Sequence, residues 1–260
     1  MPKSGKKTRL AIFDIDGTIF RSSLFLELFY SLIDQGVFHA KVRDEVEPSY
    51  LAWLNRKGHY NDYLIKTVQV YYKHLIGKSK AAVDAVAYKM IAAQKDRVYR
   101  FTRDLIPEYK RRGYYIIAIS NSQDYVVSQF ANKSGFDAAI SRRLEEVNGH
   151  YTGRVMSGNK IISINEHVDK VKILKDFLRE NNIAADFKKS VAVGDSEGDL
   201  AILELVGEPV AFNPSSGLAT IAKKRGWQIV IERKDVIYKI RECDFIQKKN
   251  RSERQRSKWK

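Results

Sequence analysis

The chain has 260 residues, 44% of them hydrophobic, and carries a net charge of +15. That length suits one large domain or two smaller ones. Its apolar runs are short and broken by charge, which speaks against a membrane-spanning helix, and its single cysteine, Cys243, excludes an internal disulfide and a cysteine-rich zinc site.

The charge is concentrated at the ends. Lys3, Lys6, Lys7 and Arg9 contribute +4, and residues 241–260 contribute +5 (eight Lys/Arg against Glu242, Asp244 and Glu253), so 4 + 5 = 9 of the fifteen charges are terminal. Such ends either attract RNA, DNA or anionic lipid or are simply solvated. The tail lacks the interleaved aromatics of a base-stacking surface, Trp259 standing almost alone. The basic N-terminus leads into a strand rather than a signal-type apolar core, so a cytoplasmic location is expected. The sequons at Asn132 and Asn250 carry no weight without secretion.

In chain order, Thr8 to Phe13 reads as a buried strand, followed at once by Asp14 and Asp16. From Ser22 to about Arg112 the spacing is helical, in SSLFLELFYSLIDQG, YNDYLIKTVQVYYKHLIG, SKAAVDAVAYKMIAAQ and VYRFTRDLIPEYKRRG. Gly36, Gly58, Gly77 and Gly113 punctuate these segments, and Pro48 and Pro107 suit helix starts or breaks. Tyr114 to Ser120 is a second apolar strand. DYVVSQFANKSG follows as a helix closed by Gly135, and EVNGHYTGRV as a hairpin turning at Asn148-Gly149. HVDKVKILKDFLRENN is an amphipathic helix, SVAVGDSEGDLAILELVG a strand, turn and helix, and PVAFN and WQIVIE two more strands. Alternating strands and helices predict a parallel α/β sheet covered on both faces, doubly wound and Rossmann-like. The helical stretch after the first strand is too long for one crossover, so residues 21–105 are expected to be an inserted helical subdomain.

Ligands of open parallel sheets bind beyond the carboxyl ends of the strands. Asp14 and Asp16, Ser120 and Asn121, and Asp195 and Asp199 all follow strands, and Lys170 begins the helix before the last of these. Brought together, four carboxylates repel without a counter-cation, and a hard divalent ion such as Mg²⁺ resolves this. A capping turn is the plainer reading of Asp14 and Asp16, and a surface lysine that of Lys170, with Lys172 beside it. Asp199 also reads as an N-cap.

The ordered set resembles the haloacid dehalogenase superfamily, specifically its phosphoserine phosphatase-like branch. Asp14-Ile15-Asp16-Gly17-Thr18 is similar to the first motif, Ser120 to the second, Lys170 to the third and Gly194-Asp195-Ser196-Glu197-Gly198-Asp199 to the fourth. The similarity covers about residues 8–20 and 106–235, making 1–20 and 106–240 the core and 21–105 a C1-type cap, with 241–260 a basic tail.

The resemblance implies Mg²⁺-dependent hydrolysis of a phosphomonoester through an aspartyl-phosphate. Asp14 would be the nucleophile and Asp16 the general acid and base, both on one side of the strand end. Asp195 would complete the metal shell with the Asp14 carboxylate and the Asp16 carbonyl. Ser120, the Asn121 amide and Lys170 would hold the phosphate. Thr18 would hydrogen-bond locally to hold the turn, and Asp199 would orient water or Lys170. An acid at Asp16 favours a phosphate ester over a haloacid, since a halide leaves unprotonated.

Other features are weaker. Gly77-Lys78-Ser79 lacks the upstream glycine of a P-loop, Tyr72 standing there, and the five histidines show no metal-binding spacing. Trp53, Tyr60, Tyr63, Tyr71 and Tyr72 read as helix-packing residues, some of which could line a substrate pocket. The branch reads the amino-acid head group with an acid and an arginine. Ser23 and Ile65 stand at those positions and Arg21 is the first cation after the motif. A sugar, alcohol, nucleotide or lipid-head-group phosphate therefore fits better than phosphoserine. The competing hypothesis is a nucleic-acid-associated protein or end-phosphatase that binds through its tails, which deletion of residues 241–260 would separate from small-phosphate turnover. A phosphomutase is a third option. The oligomeric state is not legible.

Overall fold

The computed structural model describes residues 7–157, 160–162 and 169–240. β1 (Leu10–Phe13) is buried throughout. Before the chain returns to the sheet it forms α1 (Leu24–Asp34), a 3-10 turn (Ala40–Glu45), α2 (Glu47–Leu54), α3 (Tyr60–Leu75), α4 (Lys80–Gln94) and α5 (Arg100–Arg111). Then come β2 (Tyr115–Gln123), α6 (Asp124–Ser134), β3 (Ala138–Val147), β4 (His150–Ser157), β5 (Lys160–Ile162) and α7 (Lys170–Glu180). β6 (Val191–Gly194), α8 (Leu200–Leu205), β7 (Glu208–Phe212), α9 (Ser216–Lys224), β8 (Gln228–Arg233) and β9 (Val236–Ile240) complete the described chain.

The strands form one sheet in the order β5-β4-β3-β2-β1-β6-β7-β8-β9. From β3 to β8 every pair is parallel; β4, β5 and β9 add antiparallel edges. The chain winds outward from β1 through β2 and β3, then crosses to β6 and winds the other way. The switch point, where such sheets open a crevice, therefore lies at the carboxyl ends of β1 and β6. Alternate residues of β1 serve opposite faces. Leu10 and Ile12 join Leu174, Leu178, Ile202 and Leu218 beneath α7, α8 and α9. Ala11 and Phe13 join α5, α6 and the helical insertion, whose Phe25, Phe29, Phe38 and Tyr71 belong to the same buried cluster.

Several elements differ from the sequence reading. β2 runs past Ser120 to Gln123, and β5 and β9 are short edge strands that no hydrophobic run announces. Pro107 lies inside α5 rather than at its edge. Thr102, Ile106 and Tyr109 are buried on one stripe of that helix, and this packing offsets the lost hydrogen bond. α5 also spans the boundary drawn at residue 105.

The hairpin turns where expected, with Asn148 and Gly149 at φ 51° and 76°. Its far side reaches the α3–α4 loop. Gly77 N–H donates to the Tyr151 carbonyl (2.8 Å), Tyr151 N–H to that of Lys78 (3.0 Å) and Lys80 N–H to that of Gly149 (2.8 Å). Arg9 is half-buried, donating to the Arg112 carbonyl and lying over the Tyr114 ring at 4.5 Å. Lys3, Lys6 and the basic segment 241–260 lie outside the described residues. Among the described residues no helix is long and apolar enough to cross a membrane.

Candidate active site

β1 delivers Asp14 to the sheet edge, where its N–H donates to the Val193 carbonyl of β6 (3.0 Å). The chain then turns on the Ile15 carbonyl, which accepts from the N–H groups of Thr18 (3.2 Å), Ile19 and Phe20 (both 2.9 Å). Gly17 sits at φ +82°, and a Cβ there would lie 2.1 Å from Asp195 Oδ2. Only glycine permits both this backbone conformation and this approach of the two strand ends. Thr18 corrects the sequence reading. It is fully buried, but among the described residues its hydroxyl has no hydrogen-bond partner. Backbone bonds hold the turn, and Thr102 Oγ1 donates to the Thr18 carbonyl (2.8 Å).

Lys170, the first residue of α7, is 5% exposed and lies between two acids, donating to Asp14 Oδ1 (2.8 Å) and Asp199 Oδ1 (2.6 Å). Lys172 is exposed. Burial opposes the Lys170 ammonium, but Asp14 and Asp199 outweigh it and hold its pKa above the ordinary lysine value. The other oxygen of Asp199 accepts from Asp195 N–H (3.1 Å), Ser196 N–H (3.1 Å) and Ser196 Oγ (3.2 Å). Asp199 thus ties the turn after β6 to Lys170.

One oxygen from each of Asp14, Asp195 and Asp199 lies within 4.8 Å of the others. Burial pushes the Asp195 carboxyl up to about 7, with the Asp199 charge adding to it and Lys170 opposing. Burial likewise raises Asp14 well above its ordinary value; Lys170 counteracts this, and Asp199, Asp195 and Asp16 reinforce it. Crowded, buried carboxylates with no nitrogen or sulfur donor suit a hard divalent cation. Asp199 already accepts four hydrogen bonds from protein donors and Asp14 one, from Lys170, so Asp14 and Asp195 could hold such a cation more readily than Asp199.

Asp16 departs from this cluster. Its Oδ2 accepts from Ser120 Oγ (2.9 Å) and Ser122 Oγ (2.7 Å), and its Oδ1 from Leu24 N–H at the start of α1. Burial raises its pKa, against the bonds from Ser122, Leu24 and Ser120. Ser120, expected on phosphate, is turned to Asp16 here, and Asn121 is exposed. Sequence reading missed Ser122. The signal was present, since a residue two beyond Ser120 on the same strand faces the same side.

From the insertion, Tyr60 is 40% exposed, and its hydroxyl is pushed up to about 12 by burial and by the charges of Asp16 and Asp195. Trp53 stacks on Tyr63 at 5.9 Å, and Tyr71 and Tyr72 are buried in the core. Arg21 is exposed and lies over the Tyr99 ring at 5.5 Å. Ser23 caps α1, and Ile65 is 54% exposed.

Residues 11–204 match the family model described as haloacid dehalogenase-like hydrolase. The chain belongs to this family. Its relatives include phosphoserine phosphatases. It is 28% identical to a phosphoserine phosphatase of Streptomyces coelicolor over 79% of this chain and 44% of that protein. It is 25% identical to one of Archaeoglobus fulgidus over 84% and 56%. A histidinol-phosphatase of Neisseria meningitidis is 29% identical over 49% and 56%. The chain therefore spans about half the length of these relatives. Among solved structures, a Bordetella pertussis protein of unknown function matches with TM-score 0.69 and 22% identity, covering 87% of this chain and 99% of that one. A phospho-aspartyl intermediate analogue of phosphoserine phosphatase matches with TM-score 0.57 and 24% identity over 88% and 96%. At such identities these neighbours show the fold alone.

Proposed function

We propose that this hydrolase cleaves a phosphomonoester through an aspartyl-phosphate on Asp14. The observation that carries the reading is the division of the acids at one crevice: Asp14 bonded to the buried Lys170 beside Asp195, and Asp16 held separately by Ser120, Ser122 and the Leu24 amide. Asp14 attacks phosphorus while the bond to the leaving oxygen breaks, and Asp16 protonates that oxygen. Water then attacks the phosphorus of phospho-Asp14, Asp16 takes its proton, and inorganic phosphate and the free Asp14 carboxylate result. Lys170 and two donors within β2, Ser120 and Asn121, hold the phosphate. Asp14 and Asp195 would hold Mg²⁺, with the Asp16 carbonyl as the remaining protein ligand; when bound, the ion neutralises carboxylate and phosphate charge that would otherwise repel.

We assign residues 21–105 the role of a cap, whose Tyr60 comes within electrostatic reach of Asp16 and Asp195. The substrate is a small phosphorylated metabolite, which together with the lone cysteine suits a cytoplasmic setting. The phosphoserine and histidinol phosphates named for relatives belong in the trial set, although Ser23 and Ile65 do not carry the charges expected of an amino-acid reader. The test is a phosphate-release screen over sugar, nucleotide, lipid-head-group and phospho-amino-acid monoesters, with Mg²⁺ and with EDTA. Asp14→Asn is nearly isosteric and should abolish release while leaving the protein folded; near wild-type turnover by that variant would contradict the nucleophile assignment.

A further inference from the structure

The donors around Asp16 outnumber what the reaction scheme uses. Ser120 has two acceptors to serve, Asp16 Oδ2 at 2.9 Å in this structure and the phosphate in the proposed reaction, yet a hydroxyl has one proton to donate. Ser122 faces the same carboxylate oxygen at 2.7 Å, is 4% exposed, and its N–H donates to Ser120 Oγ (3.0 Å). That last bond is independent of the direction of the Ser120 O–H. Ser120 Oγ can therefore stay in place while its proton swings from Asp16 to phosphate.

We propose that Ser122 is a positioning residue that keeps Asp16 aimed at the leaving oxygen once Ser120 has turned to the phosphate, an inference that rests on the phosphatase reading above. While both hydroxyls donate to Oδ2, both lone pairs of that oxygen are occupied. Release of Ser120 vacates one of them, at the oxygen that Ser122 still holds. The proton that Asp16 gives to the leaving oxygen as the P–O bond breaks is returned to it by the attacking water. Without Ser122, the Leu24 N–H on Oδ1 would be the one remaining described donor, and the carboxylate would swing about that contact.

Leaving-group dependence reads this out. p-Nitrophenyl phosphate and phenyl phosphate share a ring and differ in how much the departing oxygen needs a proton, and kcat/KM reports the step in which that oxygen leaves. With Mg²⁺, Ser122→Ala should lose about tenfold in kcat/KM on phenyl phosphate and under about threefold on p-nitrophenyl phosphate, and Ser122→Thr should restore most of the loss. An equal loss on both esters, or none on phenyl phosphate, overturns the proposal. A wild-type protein inert toward both esters overturns the phosphatase reading itself. A crystal of the wild-type protein with orthovanadate decides the matter without any variant. Ser120 Oγ on the vanadate with Ser122 Oγ still on Asp16 is the expected arrangement; Ser122 on the vanadate and Ser120 on Asp16 is the contrary one.

Discussion

Lys170→Met tests the buried ion network most directly. Its ammonium is bonded to Asp14 at 2.8 Å and Asp199 at 2.6 Å, with side-chain exposures of 5%, 9% and 4%. Methionine replaces the volume but leaves two buried carboxylates facing each other without a cation. Breaking a buried pair from one side costs about 3–5 kcal/mol. Urea unfolding of wild type and variant in EDTA should show a deficit of that size. Adding Asp199→Asn to Lys170→Met should cost much less than the sum of the single changes, with a coupling of about 1–3 kcal/mol. The deficit should also depend on pH in one direction. Burial already raises the folded pKa of Asp14 above its ordinary value of 3.8, and loss of Lys170 raises it further. A raised carboxyl keeps its stabilising proton at low pH and loses it as pH rises, so the deficit should be smaller near about pH 5 than near about pH 8. A deficit under about 1 kcal/mol, or one that shrinks as pH rises, would refute the reasoning.

Gly17→Ala forces a left-handed residue and drives a Cβ to 2.1 Å from Asp195 Oδ2. The Mg²⁺ concentration giving half-maximal activity should rise about tenfold or more, and an unchanged metal titration would count against Asp195 as a ligand. In EDTA the wild-type melting temperature should fall as pH rises from 3.8 to about 7, the window in which the unfolded chain has lost the Asp195 proton and the folded protein still holds it. Mg²⁺ should remove most of that fall; the opposite slope would mean that another group dominates. Gly153→Ala places a Cβ 2.7 Å from Ile76 Cγ1 at φ +80°. It should destabilise by about 1–3 kcal/mol and speed hydrogen exchange at the Gly77, Tyr151 and Lys80 amides, which join the hairpin to the insertion. Unchanged exchange there would separate the hairpin from the insertion.

The α/β alternation, the long helical insertion and the order of Asp14, Asp16, Ser120, Lys170, Asp195 and Asp199 are properties of the sequence alone, because period-2 and period-3.6 patterns and strand-end polar residues are local. The lysine-then-helix pattern favours Lys170 over Lys172, and what the pattern does not carry is the burial of Lys170 between Asp14 and Asp199 while Lys172 is exposed. Local reading also failed at Thr18, whose hydroxyl finds no described partner, and at Pro107, which packing carries inside α5. Short edge strands β5 and β9 depend on neighbours rather than on their own pattern. Only the tertiary structure could say that Asp16 leaves the acid cluster for Ser120, Ser122 and the Leu24 amide, and that residue 17 must be glycine because Asp195 lies against it. The reason is physical: a side chain's partner is set by what the sheet and the insertion bring alongside it, and residues 14, 24, 122, 170 and 195 meet at the switch point between β1 and β6 although the chain itself holds them far apart.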